Sequence, residues 1–317
     1  MEQAAATTQQ VLEWYKTLSN WGRWGYEDER GTLNLITPAK VQQAAGLVRD
    51  GVVVSCTRPM GYDPVPDAPI PTRHFMLKSG EGEPAESVGR FSALDAFLFA
   101  PHGRTMTHLD APSHTLVRAS ESEPWTMYNG KSKDLVSTVQ GATAGSIELA
   151  SGGIVTRGVL LDIARLRGVD WLGNSGASPA DLAAAESAAG VTVEAGDVLF
   201  VRTGWPKQRA QEGPLAVGGG VGLRVDCLPW LRERDVVLLS TDTSNGDDVS
   251  LYAGLGSNGG IHGVGMGAIG LWILDNADFE DLAQTCERLG RWEFQAVIAP
   301  LKLERGTGSP VNPLAIF

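Results

Sequence analysis

The chain has 317 residues, 43% hydrophobic and 20% charged, which is ordinary globular usage and enough length for one large domain or two modest ones. Its formal net charge of -11 and isoelectric point near 5.0 repel phosphate backbones, and no Lys/Arg-rich run overrides that balance, so nucleic acid is excluded as a partner. No apolar run approaches the roughly 20 residues of a membrane helix, and the first twenty residues lack the basic start and apolar stretch of a signal peptide. Cys56, Cys227 and Cys286 are odd in number and far apart, so they read as buried, reduced thiols of a soluble, cytoplasmic protein.

Thr37-Pro38 opens a first helix, as N-cap and first helical residue, and Gly51 closes it. Val52–Ser55 reads as a strand. The stretch from Gly61 to Pro71 (GYDPVPDAPIP) is a loop, since proline interrupts helix and sheet alike. Further strands are expected at Phe97–Ala100, Gly158–Ile163, Asp197–Arg202, Val236–Thr241, Leu271–Leu274 and Phe294–Leu303. Most of these runs are continuous rather than alternating, which predicts burial on both faces. Ser178-Pro179 opens a second helix that Gly190 stops, and a third spans Phe279 to Leu289, capped by Asp278 and stopped by Gly290. The mixture is α/β or α+β. No GxGxxG or GxxxxGK[ST] follows any strand and no GxSxG is present, so neither a nucleotide fold nor a serine nucleophile has motif support.

There are five histidines, His74, His102, His108, His114 and His262, and three of them fall within thirteen residues. The string Pro101-His102-Gly103-Arg104-Thr105-Met106-Thr107-His108-Leu109-Asp110-Ala111-Pro112-Ser113-His114 follows a predicted strand, on a loop leaving a sheet edge, where catalytic groups are often found. Imidazole nitrogen and carboxylate oxygen are the usual ligands of catalytic zinc or manganese. His108 and Asp110 are two residues apart and leave the same face of an extended segment. Pro112 stiffens the following turn, from which His114 can act on water as general base and acid.

HLDAPSH resembles the second half of the signature H-x-G-T-H-x-D-x-P-x-H of the cyclase/kynurenine-formamidase-like metal-dependent hydrolases. Asn20–Val41, Tyr128-Asn129-Gly130, RGVLLD (Arg157–Asp162), GDVLFVRTGW (Gly196–Trp205) and GTGSPVNPLAIF (Gly306–Phe317) are similar to the longer bacterial branch of that family, so the resemblance covers nearly the whole chain. It implies a single α/β domain over residues 1–317, of the swivelling β/β/α type, a mixed sheet with peripheral helices on which residues 1–36 pack as an N-terminal extension. It implies one or two divalent ions, a homodimer or homotetramer, and hydrolysis of a small amide, formamide, lactam or lactone. By position, His108 and Asp110 match metal ligands, His114 the proton shuttle, and His262 and Asp275 the later ligands, with Asp275 where most members carry glutamate.

The first histidine of the signature falls on Arg104 when counted back without gaps, and a guanidinium cannot ligate a metal because it stays protonated. Two arrangements satisfy the spacing. A two-residue bulge brings His102 into the vacant role, or one metal position is lost and Arg104 anchors a substrate carboxylate. Arg104 and Trp24, one of nine tryptophans, are the substrate-binding candidates. His74 reads as a surface or structural residue and Asp242 as turn chemistry. The same centre could serve a cyclisation or dehydration, or could bind a small aromatic molecule without turning it over.

Overall fold

The computed structural model describes residues 6–82, 86, 88–214, 222–245 and 260–317. In chain order the strands are β1 (Val53–Ser55), β2 (Arg73–Lys78), β3 (Leu94–Leu98), β4 (His108–Asp110), β5 (Val136–Ser137), β6 (Gly141–Ala142), β7 (Ile154–Asp162), β8 (Val198–Arg202), β9 (Leu238–Thr241), β10 (Trp272–Asp275), β11 (Glu293–Ile298), β12 (Gly308–Pro310) and β13 (Leu314–Ile316). The α-helices are α1 (Thr8–Thr17), α2 (Pro38–Ala45), α3 (Ile163–Leu166), α4 (Pro179–Ala189), α5 (Trp205–Glu212), α6 (Leu228–Glu233) and α7 (Glu280–Leu289), and a π-helix spans Ile261–Ile269.

Among the described residues, nine strands form one sheet in the order β1-β13-β11-β7-β8-β9-β10-β4-β12. Its centre, β7-β8-β9-β10, is parallel, and the strands flanking it on both sides run antiparallel. The continuous apolar runs explain this layout. Alternate residues of a strand face opposite sides, so Leu161, Val201, Leu239 and Ile273 enter one core with α4, α6 and the π-helix. Their neighbours Leu160, Phe200, Leu238 and Leu274 enter a second core with α7 and Phe294. The result is the expected single α/β domain with a mixed sheet and peripheral helices.

The N-terminal segment packs on the π-helix: Val11 is buried, Asn20 Nδ2 donates to Ile269 O at 2.9 Å and Trp21 Nε1 donates to Gly267 O at 2.8 Å. Residues 1–5 of the expected extension lie outside the described residues. The π-helix carries no helix signal in its glycine-rich sequence. Its glycines permit close approach, since a Cβ on Gly267 would sit 2.6 Å from Val117 Cγ2 and one on Gly270 would sit 2.5 Å from the Tyr128 ring.

Several boundaries differ from expectation. α2 ends at Ala45 and is capped by Gly46, whose N–H reaches Gln42 O; two further turn bonds at Leu47 and Val48 use up the segment before Gly51. The final long strand stops at Ile298, two residues before Pro300, which cannot continue a ladder. β3 runs over Leu94–Leu98 and, among the described residues, pairs with β2 alone, so the hairpin is exposed rather than buried on both faces. α4 is as expected, with a Ser178/Asp181 capping box and Gly190 at φ 66. In α7 the cap position is Phe279, and the Asp278 carboxylate accepts the Glu280 N–H. The three cysteines are free and buried. No helix among the described residues is long and apolar enough to cross a membrane.

Candidate metal centre

The His108–Asp110 segment is itself a strand inside the large sheet, between β10 and β12, and not a loop at its edge. Two polar residues around one leucine cannot announce a strand by composition; the neighbouring ladders make it one. Register then assembles the site. His108 lies opposite Asp275 and Asp110 opposite Ile273. Side chains two apart on a strand share a face, as do directly opposed ones, so His108, Asp110 and Asp275 converge at the carboxyl end of the parallel strands. Ligands characteristically bind at that end in α/β sheets.

Four imidazoles surround Asp110. His102 Nδ1 lies 2.8 Å from Asp110 Oδ1, and its Nε2 lies 2.8 Å from Thr307 Oγ1. His108 Nε2 is 3.4 Å from Asp110 Oδ1, while its Nδ1 sits 3.0 Å from Met106 O. A carbonyl only accepts, so Nδ1 carries a proton toward Met106 and Nε2 is the ring nitrogen turned to the carboxylate. His114 Nε2 is 3.9 Å from Asp110 Oδ2, and its ring stacks on His102 with centroids 3.7 Å apart. His262, from the first turn of the π-helix, places Nε2 3.1 Å from Asp275 Oδ2 and 3.6 Å from Asp110 Oδ2.

Burial disfavours the charge on Asp110, but His114, His108, His102 and His262 overcome it and hold the carboxyl well below its ordinary value. Burial pushes His114 down to about 4, against the pull of Asp110 and with the other imidazoles adding to it. His262 is opposed by burial too, yet Asp275 and Asp110 keep it well above the usual imidazole value. Asp110 Oδ2 is buried with no hydrogen-bond partner among the described residues. An orphaned carboxylate oxygen ringed by imidazole nitrogens fits a divalent cation. Two trios have ligand atoms within 4.8 Å of one another, His102/His108/Asp110 and Asp110/His262/Asp275, with Asp110 common to both.

The supports of this cluster were not singled out in the sequence. Asn245 Nδ2 donates to Asp275 Oδ1 at 2.8 Å. Asn276, at φ 57, donates through Nδ2 to Gly103 O at 2.7 Å and accepts at its carbonyl from Thr107 Oγ1 at 2.6 Å, lashing the His102–Thr107 loop to β10. Gly308 leaves room for the His102 ring, because a Cβ there would lie 2.6 Å from its Cε1. The available signal was position: Asn276 follows Asp275 directly, and Thr307 and Gly308 lie in the GTGSPVNPLAIF block.

Of the remaining candidates, Arg104 directs Nε to Ser244 Oγ at 3.1 Å, so His102 and not Arg104 stands beside Asp110. Trp24 is half-buried with the Arg23 guanidinium 4.7 Å over its ring. His74 belongs to the exposed hairpin, 3.2 Å from Asp95 and stacked on Phe97. Asp242 is wholly buried instead of turning in solvent; it accepts from Thr203 N, Thr203 Oγ1 and Gly204 N and so ties the end of β8 to that of β9. Arg202 is held by Asp162 and Glu280.

Residues 84–248, a little over half of the chain, match the sequence model of the Cyclase family. A solved structure described as a novel cyclase superposes with a TM-score of 0.79 at 27% identity, over 95% of this chain and 100% of that one. The fold also matches an isatin hydrolase bound to the product analogue thioisatinate, with a TM-score of 0.58 at 18% identity over 89% of this chain and 99% of that one. Isatin hydrolase A from Ralstonia solanacearum gives a TM-score of 0.54 at 24% identity over 88% and 97%. No protein of curated function matches. With its family match and an Asp110-centred cluster on this fold, the chain belongs to the cyclase family.

Proposed function

We propose that this chain is a metal-dependent hydrolase that opens an amide, formamide, lactam or lactone bond in a small aromatic or cyclic molecule. The single observation that carries the reading is Asp110, buried, ionised and unpartnered at Oδ2 amid four imidazoles. His102, His108, Asp110, His262 and Asp275 would hold one or two zinc or manganese ions. When bound, such an ion supplies Lewis-acid activation of water and of the acyl oxygen. His114 then moves the proton. Burial keeps its ring neutral at neutral pH, so Nε2 accepts a proton as water adds to the acyl carbon, and returns it to the nitrogen or oxygen that leaves as the C–N or C–O bond breaks. Structural likeness to proteins described as isatin hydrolases supports a cyclic amide among the substrates.

Homodimer or homotetramer assembly is part of the same reading. The β2–β3 hairpin supports it, with Phe75, Met76, Leu77, Leu94, Phe97 and Leu98 all exposed, more apolar surface than a lone two-stranded ribbon sustains. Free, buried cysteines support residence in the cytoplasm.

Turnover of formamides, lactams and lactones in ¹⁸O-labelled water, with zinc or manganese added or chelated, tests the reaction. The expected result is metal-dependent product carrying one solvent oxygen. Product without label would point to cyclisation or dehydration instead, and a folded protein that binds no metal would end the proposal.

A further inference from the structure

The loop that delivers His102 also carries positive charge that the metal cluster leaves unused. Arg104 donates from Nε to Ser244 Oγ at 3.1 Å, but its Nη1 is buried with no hydrogen-bond partner among the described residues. Burial weighs most on its charge and holds the guanidinium below its ordinary value, against the pull of Asp67 and Asp275, and neither carboxylate is free to satisfy it. Asp67 is clasped by Arg209 through Nε at 2.6 Å and Nη2 at 3.0 Å, and it is also the carboxylate nearest in effect to Arg58, whose own Nη1 is buried and unpartnered. Asp275 is engaged by His262 and Asn245. With Asp67 held by Arg209, Arg58 Nη1 and Arg104 Nη1 are left without an acceptor among the described residues.

Position links this surplus to the chemistry. Ser244, which receives Arg104, immediately precedes Asn245, which orients Asp275. His102 and Arg104 lie two residues apart on a loop pinned by Asn276. A buried cationic donor without an acceptor is costly to keep, and the planar fork of arginine matches a carboxylate.

We propose that Arg104 binds a carboxylate of the substrate, so that the site acts on small amides or lactones that bear an acid group in addition to the bond that is cleaved. The inference rests on the hydrolase reading above and adds the substrate class to it.

Calorimetry on zinc-loaded protein with phthalamate and benzamide tests it. Both carry an intact amide and only phthalamate carries a carboxylate, so the acid group measured is the ligand's own and not one released by hydrolysis. Phthalamate is expected to bind wild type at least about tenfold more tightly than benzamide. Arg104→Gln removes that preference while benzamide affinity and zinc content stay within about twofold; Arg104→Lys keeps part of it, since the charge remains and the fork is lost. An undiminished preference in Arg104→Gln, no preference in wild type, or no binding of either compound overturns the proposal. Because binding is read without turnover, a protein that prefers phthalamate but incorporates no labelled oxygen contradicts the hydrolase reading alone.

Discussion

The two halves of the candidate centre are built differently. His108, Asp110 and Asp275 sit on adjacent strands, with side chains at most 4% exposed and positions set by ladder register. His102, His114 and His262 come from a loop, a short 3₁₀ turn and the π-helix, and their side chains are 27%, 24% and 15% exposed. The sheet supplies two buried carboxylates and His108; the rim supplies three imidazoles within reach of solvent, His102 bonded at both ring nitrogens and stacked on His114, and His262 bonded to Asp275. On the proposed reading, a centre divided this way holds a cation at the sheet and moves a proton at its open side.

The largest effect expected from breaking that division is Asp110→Asn, which keeps the shape and removes the charge common to both ligand trios. Metal affinity, read by competition with a chromogenic chelator, is expected to fall by more than the roughly 10–100-fold typical of changes one layer out from a metal, with hydrolysis lost. Gly308→Ala replaces no ligand but presses on the His102 ring and on the Leu109 carbonyl of β4, where an added Cβ would lie 2.6 Å and 2.8 Å away. The added methyl displaces the His102 ring, and a loss of about tenfold or more in metal affinity is expected, with unfolding free energy lowered by about 1–3 kcal/mol from overpacking. Unaltered affinity in a variant whose His102 ring has moved would mean that His102 is not a ligand. Asn245→Ala removes the donor that orients Asp275 and is expected to cost about tenfold in metal affinity, less than either change above.

The local part of the site was legible because strand periodicity needs only the string itself: residues 108 and 110 share a face wherever that segment is extended. His262 and Asp275 were legible only through family resemblance, for nothing in Gly-Ile-His-Gly or Leu-Asp-Asn announces convergence with a segment some 150 residues earlier. The π-helix was hidden, since a glycine-rich run has no periodic face, and its shape comes from contact with Val117 and the N-terminal segment. Thr307 and Asn245 were hidden too, being uncharged supports whose meaning depends on which side chain lies opposite. In the fold, the buried apolar runs are strands as their continuity predicts, whereas at Phe97 and Leu98 apolar content comes with exposure.

The smallest effect sharpens the comparison from the scaffold side. Asp181 completes the capping box of α4, and although burial opposes its charge, bonds from Arg167 and Ser178 hold its carboxyl down at about 2. A depressed carboxyl contributes stability that is present above its unfolded value near 3.8 and is lost as pH falls through about 2. Asp181→Asn is therefore expected to flatten the acid limb of urea stability between about pH 4 and pH 2, and Ser178→Ala to cost about 1 kcal/mol, both with metal affinity unchanged.

Anomalous diffraction from crystals grown with zinc asks most directly whether Asp110 is the hub of a metal centre. A peak within about 2.0–2.2 Å of an Asp110 carboxylate oxygen, with His108 or His262 nitrogen at about 2.0–2.1 Å, is the expected result. Zinc bound only elsewhere, with the Asp110 carboxylate still facing nothing but imidazoles, would contradict it.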